Sequence, residues 1–531
     1  MVIFLEFSRH SKKILKLHSK WDKILLCNYY KILIIGGMKM QGIVDSLNGI
    51  VWSSALVYLC LGAGVYFSFR TRFLQIRHFK DMAKYLFGGS ASDEGVSSFQ
   101  AFAMSVAGRV GTGNIAGVAT AIAMGGPGAV FWMWVIAFLG SGSSFVECAL
   151  GQVYKEEIDG EYRGGPAYYI EKGMGQKWYA IIFAVATVIA MGFFLPGVQS
   201  NSIASSVEVA FGVNPGITGA VLAALLAVII FGGVKRISKT AEIIVPFMAG
   251  GYIIIALIIL IINISEIPAM FALIFKSAFG AKQAFAGILG MAISWGVKRG
   301  IYSNEAGQGT GPQAAAAAEV THPAVQGLVQ AFAVYFDTLF VCSATAFMIL
   351  STGKYNVYNP DGGFIVENLP GAEIGPAYTQ AAVDTLLPNF GSAFVAIALF
   401  FFAFSTIMAY YYIAETNIAY LFRKGSTNRH IVINLLRIFL IGSTFYGAIR
   451  TAALAWGLGD LGVGIMAWLN VIAILILGNI GIKVLKDWEE QKAMGRNIDT
   501  FTFEPKKLDI KNADYWIEVN KRKADRDSVV S

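Results

Sequence analysis

Residues 105–128 read SVAGRVGTGNIAGVATAIAMGGPG, an apolar run long enough to cross a bilayer that is interrupted at its centre by GTGNIAG, Gly111 to Gly117. A membrane helix normally keeps its backbone bonded to itself, because hydrocarbon offers no partner for a free N–H or C=O. Gly-Thr-Gly-Asn at mid-depth invites local unwinding, and unwound backbone is tolerated there only where it lines a cavity or is covered by protein. Holding a small polar solute or an ion is the use that fits such a break.

Composition places this segment in context. Of 531 residues, 56% are hydrophobic and 14% are charged, about half the usual charged share. A soluble chain of this length would form several domains with polar surfaces, and there is too little charge here to coat them. The apolar residues recur in blocks of roughly 20 or more, the length that spans a bilayer. The class is an all-α polytopic membrane protein. The net charge of +8 needs no nucleic acid to explain it, since most Lys and Arg fall in loops between apolar blocks. Cys27, Cys60, Cys148 and Cys342 are scattered without a CxxC, which argues against a disulfide framework or a cysteine metal site. The five histidines (His10, His18, His78, His322 and His430) sit toward block ends or in the N-terminal extension. A histidine metal centre or a Ser-His hydrolase does not fit that placement.

Eleven spans are expected, near 46–69, 97–124, 128–153, 179–207, 215–233, 241–264, 283–303, 324–351, 389–422, 430–450 and 457–482. The loop 354–388 reads as external, with a surface helix at AYTQAAVDTLL. Basic residues follow the first, third, fifth, ninth and eleventh spans, as in Arg70–Lys84, Lys155–Lys177, Lys235–Lys239, Arg423–Arg429 and Lys483 onward. The alternate loops carry only Lys276, Lys282, Lys354 and Arg450. The positive-inside pattern then puts the C-terminus in the cytoplasm and the start of the first span outside. Residues 1–40 oppose it with Arg9, Lys12, Lys13, Lys16, Lys20, Lys23, Lys31 and Lys39. Either they form an extra segment that tucks the N-terminus inside, or the chain starts at Met38 or Met40 and upstream sequence precedes it.

A second interruption lies in GVKRGIYSNEAGQGTGPQAAAAAE, Gly296 to Glu319, where Ser303, Asn304, Glu305, Gly307, Gln308 and Gly309 replace an apolar run. Each break opens a set of five spans, and the two sets are oppositely oriented by the charge pattern. Paired discontinuous helices that meet at the bilayer midplane mark inverted-repeat secondary transporters. Gly-rich stretches often serve only close packing, which accounts for Gly113 and Gly117 but not for Thr112, Asn114, Asn304 and Glu305 beside them. Polar residues at depth are costly and are usually functional. Ser405 and Thr406, adjacent inside an aromatic run of the ninth span, offer hard oxygens of the kind alkali and alkaline-earth cations take. In the fourth span Pro196 frees a carbonyl and Gln199 offers both donor and acceptor; a plain kink with a polar group facing a neighbour is the alternative. Arg109, Glu147, Glu305, Asp337 and Glu415 lie near or within spans, where paired charges either lock helices or form gates.

GTGNIAGVATAI, SNEAGQGTGPQAAAAAE and AFSTI together resemble the alanine or glycine:cation symporter family, over about residues 42–490. The resemblance implies a leucine-transporter-type fold, a 5+5 inverted repeat with one extra N-terminal helix. The chain then divides into an atypical extension (1–40), the extra helix with a basic cytoplasmic loop (41–96), repeat one (97–264), repeat two (283–482) and a charged cytoplasmic tail (483–531). It also implies sodium-coupled uptake of alanine or glycine across the cell membrane, with no cofactor beyond the coupling ion.

The partners implied are the amino acid, Na+ and membrane lipid, and no nucleic acid. The substrate carboxylate would meet N–H groups around Thr112, Gly113 and Asn114 at a half-helix N-terminus. Its ammonium would meet carbonyls near Ser303, Asn304 and Gly307, with Gln199 bonding either end and Tyr410 among the aromatics above. The cation would sit at the carbonyls of Ala107, Val110 and Phe402 and the hydroxyls of Ser405 and Thr406, with Arg109 as a cytoplasmic gate.

Some residues depart from the family pattern. Ala409-Tyr410 stands where many members have Gly-Trp, QGTGP stands where many have LGSAP, and Gln313 stands where the GQGTGP form often has His. Serine or glutamine is therefore an alternative substrate, and a histidine-borne proton at position 313 is excluded. Channels build filters from rings repeated by symmetry, and enzymes need a nucleophile–base or metal constellation. The sequence favours neither.

Overall fold

The computed structural model describes residues 40–530, apart from 89–91, 93, 232, 282, 386, 389 and 424–426. Residues 1–39, and with them both readings of the N-terminal extension, lie outside the described residues. Helix dominates throughout. The first helices are α1 (Met40–Val51) and α2 (Ser54–Arg70), which meet at a 43° bend. Next come α3 (Ser98–Arg109), α4 (Val118–Gly125), α5 (Gly128–Val153), α6 (Lys177–Ile189), α7 (Leu195–Phe211), α8 (Pro215–Ile230), α9 (Gly233–Ile262) and α10 (Ile267–Ala278). The second half holds α11 (Leu289–Asn304), α12 (Gly311–Ala316), α13 (Pro323–Tyr335), α14 (Ser343–Thr352), α15 (Pro376–Asp384), α16 (Gly391–Leu421), α17 (Thr427–Ala448) and α18 (Ala452–Ala493). The tail ends in α19 (Asp514–Val530).

Among the described residues seven helical stretches are long and apolar enough to cross a membrane, and the bent α1–α2 pair makes an eighth. The remaining apolar segments of the sequence fall on the broken pair α3–α4, the short α8 and the broken pair α11–α12. The helix starts follow from local chemistry. Ser97 and Gln100 form a reciprocal capping box at α3, satisfying two of the donors that a helix start leaves free. Pro215 and Pro323 open α8 and α13, where their missing N–H costs nothing.

Among the described residues three π-helical turns punctuate the bundle: Gly113–Gly117 between the first break and α4, Ala190–Phe194 between α6 and α7, and Phe336–Cys342 between α13 and α14. The second of these has a visible cause. Pro196 has no N–H for the Gly192 carbonyl one turn earlier, and Ser443 Oγ of α17 donates to that carbonyl at 3.4 Å. The core runs through the middle of the bundle, while α9 and α17 turn Ile243, Phe247, Ile254, Ile261, Ile438 and Phe439 outward. An apolar outer face of this kind suits lipid rather than water.

Several elements differ from the sequence expectation. The last span runs to Ala493 rather than stopping near 482, because Lys483–Ala493 are good helix formers that need no membrane. The seventh begins at Leu289 rather than 283. Helix α10 and two short hairpins, β1 (Glu156–Ile158) with β2 (Glu161–Arg163) and β3 (Asn356–Tyr358) with β4 (Phe364–Glu367), had no strong signal. The surface helix in 354–388 is present as α15.

The chain after α18 folds back against the bundle. Trp516 Nε1 donates to the Gln152 carbonyl at 2.9 Å, and Lys483 Nζ to the Leu508 carbonyl at 2.8 Å. Lys155 is fully buried beneath this segment, its ammonium 4.1 Å from the Tyr162 ring centre and 4.5 Å from that of Tyr515, donating to the Ala318 carbonyl at 2.9 Å. Burial pulls its ammonium down to about 7, against the raising field of Glu319.

Candidate functional site

The first break is short. Helix α3 ends at Arg109, Val110 leaves helical geometry (φ −79°, ψ 86°), and the π-turn starts at Gly113. Two side chains take N–H groups of the gap: Asn114 Oδ1 accepts from Gly111 N at 2.8 Å and Gln199 Oε1 from Thr112 N at 3.0 Å. These donors therefore have side-chain acceptors here. A Cβ at 113 would lie 3.2 Å from Ser303 Cα and from the Tyr302 ring, a tight contact that glycine avoids.

The second break is longer, from Glu305 to Thr310. Glu305, Gly307 and Gly309 have φ of 57°, 80° and 87°, the left-handed region that favours glycine and is strained for glutamate. Glu147 of α5 holds this loop. Its carboxylate accepts from Gly307 N at 3.1 Å and from Asn470 Nδ2 at 2.7 Å, and Asn470 also bonds the Gly307 carbonyl at 3.0 Å. Glu305 accepts from Thr310 Oγ1 at 2.7 Å.

The five residues expected to hold a cation converge. Thr406 Oγ1 lies 2.7 Å from the Ala107 carbonyl, 2.9 Å from that of Phe402 and 3.4 Å from that of Val110. Ser405 Oγ lies 2.9 Å from the same Phe402 carbonyl. Oxygens gathered at these spacings suit a hard, sodium-sized cation. A cavity of about 10 Å³ beside them, lined by Ala107, Glu305, Thr310 and Ser405 among others, is close to the volume one water-sized guest needs.

The residues expected around the substrate divide into three groups. Thr112, Gln199 and Tyr410 form one chain, since Gln199 Nε2 donates to the Tyr410 hydroxyl at 3.2 Å. Thr112 Oγ1 is buried without a partner among the described residues. Asn114, Ser303 and Asn304 turn instead toward the third π-turn. Asp337 Oδ1 accepts from Asn114 Nδ2 at 2.6 Å and from Ser303 Oγ at 3.1 Å, while Asn304 Nδ2 faces Thr338 Oγ1 at 3.3 Å. Gly113 joins both groups by its contact with Ser303. Gly307 belongs to the separate Glu147–Asn470 network.

Arg109 is buried at the end of α3. Its guanidinium donates to the Gln330 carbonyl at 3.0 Å and to Ser144 Oγ at 3.4 Å rather than to a carboxylate. Glu415, the remaining buried acid singled out from the sequence, stands 3.6 Å from Arg163.

Sequence reasoning gave Asp337 and Glu147 no specific role, although both were visible as acids within spans. It passed over the cluster between α11 and α18, where Asp460 Oδ2 pairs with Arg299 at 2.6 Å and Lys298 at 2.7 Å. Arg299 also lies over the Trp456 ring at 4.7 Å. Two adjacent cations inside an apolar span were the available signal.

The sodium:alanine symporter family model matches residues 38–502. A putative sodium/proton-dependent alanine carrier protein of Bacillus subtilis is 63% identical over 477 residues, covering 90% of this chain and 98% of that protein. A sodium/proton-dependent alanine carrier protein of Bacillus sp. PS3 is 54% identical, covering 82% and 96%. A probable sodium/glutamine symporter of Bacillus subtilis is 44% identical, covering 86% and 92%.

Proposed function

The chain belongs to the sodium:alanine symporter family, and from that premise we propose that it carries alanine or glycine into the cell by sodium-coupled symport under alternating access. It is a carrier and not an enzyme. The observation that bears most of this reading is the Thr406 hydroxyl, within 3.4 Å of three carbonyls drawn from both sides of the gap between α3 and α16. Sodium would bind there through Ala107, Val110, Phe402, Ser405 and Thr406. Filling the site would tie the first break to α16, which is how an ion gradient can bias the pocket beside it.

The amino acid would lie between the breaks. Thr112, Gly113 and Asn114 would face its carboxylate, Ser303, Asn304 and Gly307 its ammonium, and Gln199 and Tyr410 would close one wall. Binding would displace Gln199 from Thr112, freeing that N–H for the carboxylate. Arg109 would gate the cytoplasmic side.

The architecture that goes with this reading has eleven spans, the eight long ones together with α3–α4, α8 and α11–α12. Residues 41–96 carry the extra helix and 97–264 and 283–482 the two inverted repeats. The basic loops support a cytoplasmic tail for 483–531 in a cell-membrane protein.

Serine or glutamine transport by the same mechanism is the second reading. Tyr410 in the pocket wall and the 44% relative named a probable sodium/glutamine symporter favour it. Uptake of labelled alanine into proteoliposomes, with an unlabelled amino-acid panel as competitors, decides between them. Accumulation that collapses without a sodium gradient is expected, and flux that is never concentrative would point to a channel. Asn114→Ala is expected to abolish uptake in a folded protein, and unchanged transport would remove Asn114 from the site.

A further inference from the structure

The chain between α2 and α3 forms two short helices, Leu74–Arg77 and Phe79–Lys84, and a 3₁₀ turn, Tyr85–Phe87. Its burial is one-sided. Leu74, His78, Met82 and Tyr85 are buried, while Ile76, Phe79 and Phe87 are 66%, 43% and 79% exposed. Lys80 and Lys84 are exposed as well, and residues four apart on a helix share a face. The exposed side therefore mixes large apolar groups with cations. Water suits the lysines but not Ile76 and Phe87, and hydrocarbon suits the reverse. A bilayer border suits both, because lysine stems lie along apolar surface while their ammonium groups reach the headgroups.

The neighbours of this segment place it where spans end. Helix α2 stops at Arg70. The Phe79 ring lies 5.8 Å from that of Phe332 and 6.1 Å from that of Tyr335, both on α13. Phe87 stacks on Phe99, in the first turn of α3, at 5.4 Å.

Pairing sorts the charges. Arg77 Nη2 reaches Glu489 at 2.6 Å and Lys492 Nζ reaches Asp81 at 2.5 Å, so these two acids are taken. Arg70 donates only to neutral oxygens, the Tyr66 hydroxyl and Asn479 Oδ1, each at 2.7 Å. Arg72, Lys80 and Lys84 are exposed and their side chains have no partner among the described residues. Unpaired cations beside exposed apolar groups complement a lipid with net negative charge. A zwitterionic headgroup brings its own ammonium and fits less well.

We propose that the exposed side of residues 70–87 is a docking surface for an anionic phospholipid. Its phosphate is drawn by Arg72, Lys80 and Lys84, and its acyl chains lie against Ile76, Phe79 and Phe87. A lipid there would steady the α2–α3 connection against α18, which its buried side already meets through the His78 and Trp488 rings, 4.9 Å apart.

The test follows the melting temperature of the full chain in a neutral detergent. Dioleoylphosphatidylglycerol, dioleoylphosphatidylcholine or inorganic phosphate is added in increasing amounts. A ligand of the folded state raises melting as it binds. Phosphatidylglycerol should raise it at far lower concentration than phosphatidylcholine, and phosphate alone should leave it unchanged. The double variant Lys80→Gln/Lys84→Gln should need about 25-fold more phosphatidylglycerol, roughly fivefold per cation. Lys506→Gln/Lys507→Gln removes the same charge from the exposed tail and should respond as the wild type does.

No rise with phosphatidylglycerol, equal half-saturation by the two lipids, or a rise with phosphate alone would overturn the proposal. So would equal losses in the two double variants, which would reduce the effect to net charge. An unchanged lipid response in Lys80→Gln/Lys84→Gln, with an altered oligomeric state on gel filtration, would give the face to a second copy of the chain instead. Should that variant not fold, Lys80→Gln and Lys84→Gln singly keep the test, each expected at about fivefold.

Discussion

The two breaks solve the same problem with opposite chemistry. In the first, the gap is brief and its N–H groups are capped by neutral side chains, Asn114 and Gln199, while the carbonyls of Ala107 and Val110 face the Thr406 hydroxyl. In the second, three positive-φ residues open a longer loop, and a buried carboxylate, Glu147, receives its N–H. The first break therefore turns its oxygens toward α16. The second brings buried carboxyl groups to depth and depends on a neighbouring helix to hold its shape.

That contrast can be broken experimentally, and the largest effect is expected at Glu147. Glu147→Ala leaves the Gly307 N–H without its acceptor and the Asn470 amide with the Gly307 carbonyl alone, at a cost of about 3 kcal/mol. The detergent-solubilised protein should melt several degrees lower and transport little. An unchanged melting temperature would mean that the second loop supports itself.

Thr406→Val keeps the shape of α16 and removes one oxygen of the first break's cluster. The sodium needed for half-maximal uptake should rise about tenfold, equivalent to roughly 1.4 kcal/mol, with melting little changed. A normal sodium dependence would refute the cation assignment.

Gly309→Ala should cost about 1–2 kcal/mol, since it forces a Cβ into a φ of 87° and within 3.0 Å of Asn470. Gly113→Ala has ordinary φ and should cost less stability but more transport, through its contact with Ser303. Equal stability losses at both would show that closeness and not backbone geometry governs the pair.

The smallest effect concerns the tail, away from both breaks. Docking favours neutral Lys155, whose ammonium is pulled to about 7 by burial, whereas the undocked lysine keeps its ordinary value near 10.4. Acid therefore opposes docking. Protection of residues 495–516 from protease should strengthen as pH rises from 7 to 9 and stay flat below 7. The trend should vanish in Lys155→Met; a trend that persists there would assign it to another group.

Much of this was legible in the chain. Gly111–Gly117 and Ser303–Gly309 announced their gaps because polar and glycine residues in an apolar run loosen a helix that hydrocarbon would otherwise keep closed. The convergence of Ala107, Val110, Phe402, Ser405 and Thr406 followed from the resemblance, and the geometry brings all five together. Asp337 and Glu147 were visible only as acids with undefined partners, because their partners stand far along the chain: Asn114 is 223 residues from Asp337 and Gly307 is 160 from Glu147. Helix α10 and the hairpins escaped because short amphipathic and turn-bound segments carry little periodic signal.

Apolar block length, interrupting residues and loop charge determined that this is a membrane carrier with two gaps, because the bilayer penalises each unsatisfied backbone group wherever it occurs. Tertiary structure alone decided which groups fill those gaps. Hydrogen bonds act over about 3 Å, and only the packed bundle brings α5, α7, α16 and the Asp337 turn within that distance of the exposed peptide units.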